Sequence, residues 1–182
     1  GKEWTQPQEI KDSRIEWLGE IPKEWEVRKF KYFFSLISDT KSDDKKLLKI
    51  GLENIESKTS RFIKSNSEFK GSGYIFQPND IIFGKLRPYL AKVWKADFQG
   101  MAIGDLYIFR PKKATYSNFA KYLMLNTSFI DLCNSSTYGS KMPRVSWEFI
   151  SNSLIALPSY EEQKIIVNKI ETEIKRINDK ID

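Results

Sequence analysis

"YIFQPNDIIFGKLRPYLAKVW", residues 74–94, decides how this chain folds. Gln77-Pro78-Asn79-Asp80 is turn punctuation, and Ile81, Ile82 and Phe83 form an apolar run suited to a buried strand. Gly84 permits a tight or left-handed backbone. Pro88 pushes Arg87 out of helical geometry towards an extended one. The stretch therefore reads as two strands around a tip. Lys85, Arg87, Lys92 and Lys95 lie on and after that tip with no acid among them, interleaved with Leu86, Tyr89, Leu90, Val93 and Trp94.

Outward from the tip, residues 47–56 read as a strand ending in a polar corner, and residues 57–73 as turns with short extended pieces. Residues 100–111 read as another strand pair, closed by Pro111. On the N-terminal side, Phe30, Phe33, Phe34 and Ile37 have helical spacing, so residues 21–37 predict a short helix after a brief strand. Residues 38–46 are a charged loop, and residues 1–19 an irregular N-terminal arm. Residues 115–134 are the clearest internal helix, with Ser117 as its cap and Phe119, Leu123 and Ile130 near one face. A loop and a last strand, 135–158, close an α+β domain over 20–158, with a mixed sheet and short helices.

From Ser159 the pattern changes. Val167, Ile170, Ile174, Ile177 and Ile181 step by 3, 4, 3 and 4, an apolar seam flanked by Glu, Lys and Arg. Ser159 with Glu162 forms an S-x-x-E capping box at the start of this helix. Residues 159–182 are expected to be a coiled-coil-type helix that meets a partner helix, either in a longer parent chain or in a second copy.

The composition narrows the chemistry. The 182 residues include 30 Lys and Arg against 24 Asp and Glu, a net charge of +6. That excess favours a nucleic acid first and an anionic membrane surface second. There is no histidine, which removes the usual general base and the Ser-His-Asp triad. The one cysteine, Cys133, sits beside Phe129, Ile130 and Leu132 and reads as a packed, inert thiol. No apolar run reaches the roughly 18 residues of a membrane span. No signal peptide opens the chain, Gly1 reads as a cloning remnant, and the expected location is a reducing cytoplasm. Asp39-Thr40-Lys41 and Glu68-Phe69-Lys70 match the acid-x-Lys triplet of metal-dependent nucleases, but both fall in turn-rich segments. No phosphate-cradling glycine loop is present, and no cofactor is expected.

Two segments share one design: glycine, a base, an apolar residue, then a proline beside a second base. They are Gly84-Lys85-Leu86-Arg87-Pro88 and Gly139-Ser140-Lys141-Met142-Pro143-Arg144. Arginine on a stiff loop can fork onto guanine O6 and N7, lysine can reach phosphate, and proline limits the entropy lost on docking. Lys85, Arg87, Tyr89, Lys141 and Arg144 are the first candidates for DNA contact. Lys92, Arg61 and Lys64 follow as phosphate contacts, with Asn54 and Tyr138 beside them.

"WLGEIPKEWEVRKFKYFF", "IGLENIES", "DIIFGKLRPYLAKV", "GSKMPRVSWEFI" and "ALPSYEEQKIIVNKIE" occur in this order. As a set they resemble the specificity subunit of type I restriction–modification systems, over about residues 14–182. The resemblance implies two target recognition domains per full subunit, each followed by a long helix. The two helices pair antiparallel as a spacer, and each domain reads half of a split DNA target. It implies non-catalytic recognition, with partner methyltransferase subunits holding the methyl-donor chemistry and a separate restriction subunit cutting DNA. This chain carries one domain and one helix, half of that pattern. It departs from the family at Ala102–Leu106, where a Cys-Ser-Thr-Glu-Phe-like strand is common. The rival readings are a small magnesium-dependent endonuclease using Glu68 and Lys70, and a scaffold whose basic tips meet an acidic protein.

Overall fold

The computed structural model describes residues 6–7, 9–38, 41–42, 44–65 and 68–181. Gly1, and Asp39 and Thr40 of the first nuclease-like triplet, lie outside the described residues. In chain order, β1 (Ile10–Asp12) and β2 (Glu20–Pro22) form an antiparallel hairpin where the sequence reading expected an irregular arm. After β3 (Glu26–Lys29), a 3-10 turn at Phe30–Tyr32 leads to β4 (Phe34–Leu36), β5 (Lys41–Ser42) and β6 (Lys49–Ile50). Then come β7 (Gly73–Phe76), β8 (Ile81–Gly84), β9 (Val93–Lys95), β10 (Gly100–Ala102) and β11 (Leu106–Pro111). The rest is α1 (Ser117–Leu125), α2 (Thr127–Ser135), α3 (Trp147–Asn152), β12 (Leu154–Leu157) and α4 (Tyr160–Asn178). The architecture is α+β, and no described helix is long and apolar enough to cross a membrane.

The central sheet has the order β4-β11-β8-β9, antiparallel throughout. Every residue of β8 is buried, because both faces of this sheet are covered. Ile81 and Phe83 face a core with Phe30, Phe34, Phe109, Phe129 and Met124, shared with α1 and α2. Ile82 faces the other way, into a core with Ile50, Phe76, Trp94 and Ile108, shared with the second sheet, β5-β7-β10-β6. A strand buried on both faces reads as a continuous apolar run, which is why "IIF" was legible. Gly84 ends β8 for reasons of space: a Cβ there would lie 2.9 Å from Leu52 Cδ2 and 3.2 Å from the Lys92 Cβ.

Four local expectations are corrected, two by tertiary pairing and two by local caps. Phe30, Phe33 and Phe34 form only the 3-10 turn and a strand, because β4 pairs with β11 and lets Phe30 stack on Phe34 at 4.4 Å. The strand pair expected over residues 100–111 forms as two strands that divide between two sheets: β10 pairs with β6 and β7, and β11 with β4 and β8. Residues 115–134 are two helices, because the Asn126 backbone is extended and its Oδ1 accepts a bond from Ser128 N at 2.9 Å. Asn126 thus ends α1 and caps α2, while Ser117 is the first residue of α1 and not its cap. The loop after residue 135 contains α3, capped by Ser146, whose Oγ accepts from Phe149 N at 3.1 Å. Cys133 is buried in the first core, and that burial pushes its thiol up to about 12.

The start of α4 is fixed to the domain by Gln163. Its Oε1 accepts from Tyr116 N at 2.8 Å, and its Nε2 donates to Ala114 O at 2.9 Å and Pro158 O at 3.0 Å. Only half of the expected capping box forms at this end. Ser159 Oγ accepts from Glu162 N at 3.3 Å, while Glu162 Oε1 accepts from Trp25 Nε1 at 3.2 Å. Glu161 and Glu162 in the first turn and Lys175 and Arg176 in the last suit the helix dipole.

Candidate nucleic-acid interface

The two basic tips found in the sequence are bonded to each other. Leu86 and Arg144 form an antiparallel bridge, Arg87 N donates to Pro143 O at 2.7 Å, and Val145 N donates to Lys85 O at 3.1 Å. The second tip is closed by mutual bonds between the backbones of Tyr138 and Arg144, at 3.1 and 3.0 Å. Gly139 makes that closure possible: its φ is +88°, and a Cβ would lie 3.3 Å from Met142 O. Tyr107 Oη donates to Val145 O at 3.1 Å and braces the junction from β11. Residues 84–91 and 138–145 therefore form one ridge.

Arg87 sits at its centre in a left-handed conformation, φ 50° and ψ 64°. Pro88 excludes the right-handed helical region as expected, but the tight 3-10 turn at Pro88–Leu90 selects the left-handed well over the extended one. Ala91, at φ 46°, closes the same turn. Two non-glycine residues in this region cost on the order of 1 kcal/mol or more each, and such strain persists only where the surroundings enforce it. Arg87 is exposed, and among the described residues its guanidinium makes a single long bond, Nη2 to Lys141 O at 3.4 Å. Tyr89, Tyr138, Lys141 and Met142 are exposed beside it. Lys85 is half-buried, with its Nζ 5.1 Å from the centre of the Tyr107 ring.

Three sequence candidates have other work. Arg144 donates Nε and Nη2 to the two carboxylate oxygens of Asp105, at 2.8 and 2.9 Å, and Nη1 to Met142 O at 3.1 Å. The hydrogen bonds to Asp105 raise the arginine above its ordinary value, and its fork is occupied while the pair stands. Lys92 Nζ donates to Leu52 O at 2.7 Å and Ile55 O at 2.9 Å, tying the loop after β6 to the ridge. Asn54 is buried; Oδ1 accepts from Gly51 N and Nδ2 donates to Ile63 O. A buried amide with both ends bonded contributes to folding and cannot reach a ligand. These placements correct the expected DNA contacts at Asn54 and Lys92. Arg61 and Lys64 are exposed on the neighbouring loop, Arg61 in a 3.4 Å ion pair with Glu56. That loop joins the ridge where Lys58 N donates to Ala91 O. Glu68 and Lys70 lie exposed in the irregular stretch before β7.

Asp105 was not singled out from sequence. Its O accepts from Lys85 N at 3.0 Å, so it binds one tip by its backbone and the other by its side chain. The signal was a lone acid in the Gly104-Asp105 corner between two predicted strands.

Along the α4 seam, exposure rises steadily: Val167 is 2% exposed, Ile170 half-buried, Ile174 44%, Ile177 52% and Ile181 78% exposed. Trp25, Ile166, Ile170, Ile174 and Ile177 line an open apolar groove of about 490 Å³. The seam is docked on its own domain at one end and bare at the other.

Residues 22–182 match the family model of the type I restriction modification DNA specificity domain. The chain belongs to this family. Within it, the specificity subunit of the Escherichia coli type I restriction enzyme EcoDI is 27% identical over 168 residues, covering 89% of this chain and 37% of that protein. The fold is that of solved specificity subunits. The HsdS subunit from Thermoanaerobacter tengcongensis superposes with a TM-score of 0.71 at 19% identity, covering 87% of this chain and 44% of that one. The type I S subunit from M. genitalium gives 0.56 at 14% identity, covering 85% and 40%. The chain spans less than half the length of these specificity subunits.

Proposed function

We propose that this chain reads one half of a bipartite DNA target with the ridge of residues 84–91 and 138–145. One observation carries the reading: two separate basic tips are zipped into a single surface that holds an exposed, nearly unengaged arginine in a strained conformation. Arg87 supplies the fork for a guanine edge in the major groove. Lys85 and Lys141 neutralise phosphates, Tyr89 and Tyr138 pack on the backbone, and Arg61 and Lys64 extend the phosphate track. Membership of the specificity family supports a recognition role without catalysis by this chain. Methyltransferase subunits supply the chemistry, and through them a restriction subunit is recruited, in the cytoplasm where the DNA lies.

The exposed half of α4 supports pairing with a second helix, from a second recognition half or a second copy. At about 1.5 Å per residue, the 19 residues of α4 span roughly 28 Å, near one DNA turn, which makes the pair a ruler between half-sites. The test is to express the chain with its cognate methyltransferase subunit and sequence the methylated adenines. A bipartite motif that disappears when the chain is omitted is expected. Methylation without a motif would refute the reading.

A further inference from the structure

The ridge presents two arginines, and the structure treats them oppositely. Arg87 projects with one long hydrogen bond, whereas Arg144 makes three, two to Asp105 and one to Met142 O. The clasp centres on Asp105, which lies outside both tips, in the corner between β10 and β11. Its carboxylate takes the Nε and Nη2 edge of Arg144, and its carbonyl takes Lys85 N. Both partners are partly exposed, with side-chain accessibilities of 29% for Arg144 and 22% for Asp105. An acid at such a place on a DNA-facing surface repels phosphate, so for affinity alone the ridge would be better without it.

Resting on the recognition reading above, we propose that Asp105 is a specificity-determining positioning residue. It holds the two tips in register and withholds the Arg144 cation from the DNA backbone. Both effects act in one direction. Fixing the tips keeps Arg87 aimed at one base pair, which favours the correct target. Neutralising Arg144 removes one phosphate-seeking cation, which weakens binding to every other sequence. Specificity is a difference of affinities, and a built-in element that lowers the wrong one raises it. Asp105 touches no DNA in this scheme; it acts through Arg144 and Lys85.

The experiment uses the chain assembled with its methyltransferase subunit, with binding to the mapped target duplex and to a scrambled duplex measured across a salt series. For Asp105→Asn, near-isosteric but uncharged, scrambled-duplex affinity should rise about 3- to 10-fold at low salt. Its log–log salt slope should steepen by about 1, and the ratio of target to scrambled affinity should fall at least roughly 10-fold. Arg144→Gln removes both the two-bond fork to Asp105 and the cation, so the ratio should fall with the lost register while scrambled-duplex binding does not rise. If Asp105→Asn melts far below the parent, Arg144→Gln carries the test alone. Equal weakening of both duplexes, or no change in either, would overturn the inference and assign the pair to stability only. A wild-type assembly that does not prefer its mapped target would overturn the recognition reading itself, and this inference with it.

Discussion

The ridge and the C-terminal half of α4 both expose groups that most proteins hide, but they do so in opposite ways. The ridge is irregular backbone held in one shape by many bonds: two bridges, a left-handed arginine, a left-handed alanine and the Asp105 clasp. The helix is regular backbone whose apolar face loses its cover step by step after Val167. A surface built rigid before it meets anything loses little entropy on docking and suits reading a fixed pattern. A bare isoleucine stripe on a regular helix is what the proposed pairing would cover. One region is held by its own bonds, and the other leaves apolar surface for the proposed pairing.

That contrast can be broken at four points. The largest effect belongs to the helix. Ile174→Asp with Ile177→Asp should abolish pairing, since each isoleucine contributes about 1.5–3 kcal/mol on burial and an unpaired carboxylate would replace it. Sedimentation checks this, and the thermal midpoint of the unpaired domain should not move, because both side chains are already exposed. Next comes the ridge: Arg87→Ala should lower discrimination for the target by about 1–3 kcal/mol in a competition assay, leaving the affinity for scrambled DNA nearly unchanged. Gly139→Ala should destabilise the fold by about 1 kcal/mol in a denaturant titration, because alanine is strained at a φ of +88°. It should also blunt discrimination by loosening the second tip. The smallest effect is that of Lys141→Ala, which should weaken all sequences alike and reduce the salt slope by about 1.

The sequence showed parts of each region for physical reasons. Ile81, Ile82 and Phe83 were legible because a doubly covered strand is uniformly apolar. The α4 seam was legible because its spacing is a local property of one helix. The Phe30–Ile37 segment was misread because its helical spacing competes with long-range pairing of β4 on β11, which no local window contains. The two strands of residues 100–111 were legible, but for the same reason their joining different sheets was not. Within the ridge, the positions of Lys85, Arg87 and Lys141 on loop tips were legible from the glycine, base and proline pattern. Arg144, Lys92 and Asn54 look identical in sequence to free polar groups, and only the fold shows that Asp105 and backbone carbonyls already engage them.

The central claim is that Arg87 on a rigid ridge reads a base. The most direct measurement is the methylated-adenine map produced by the Arg87→Ala chain with its methyltransferase subunit, set against the wild-type map. The account predicts a motif that becomes degenerate at one G·C position of one half-site and is otherwise unchanged, with the spacing between half-sites preserved. An unaltered motif, or one relaxed evenly at every position, would contradict it.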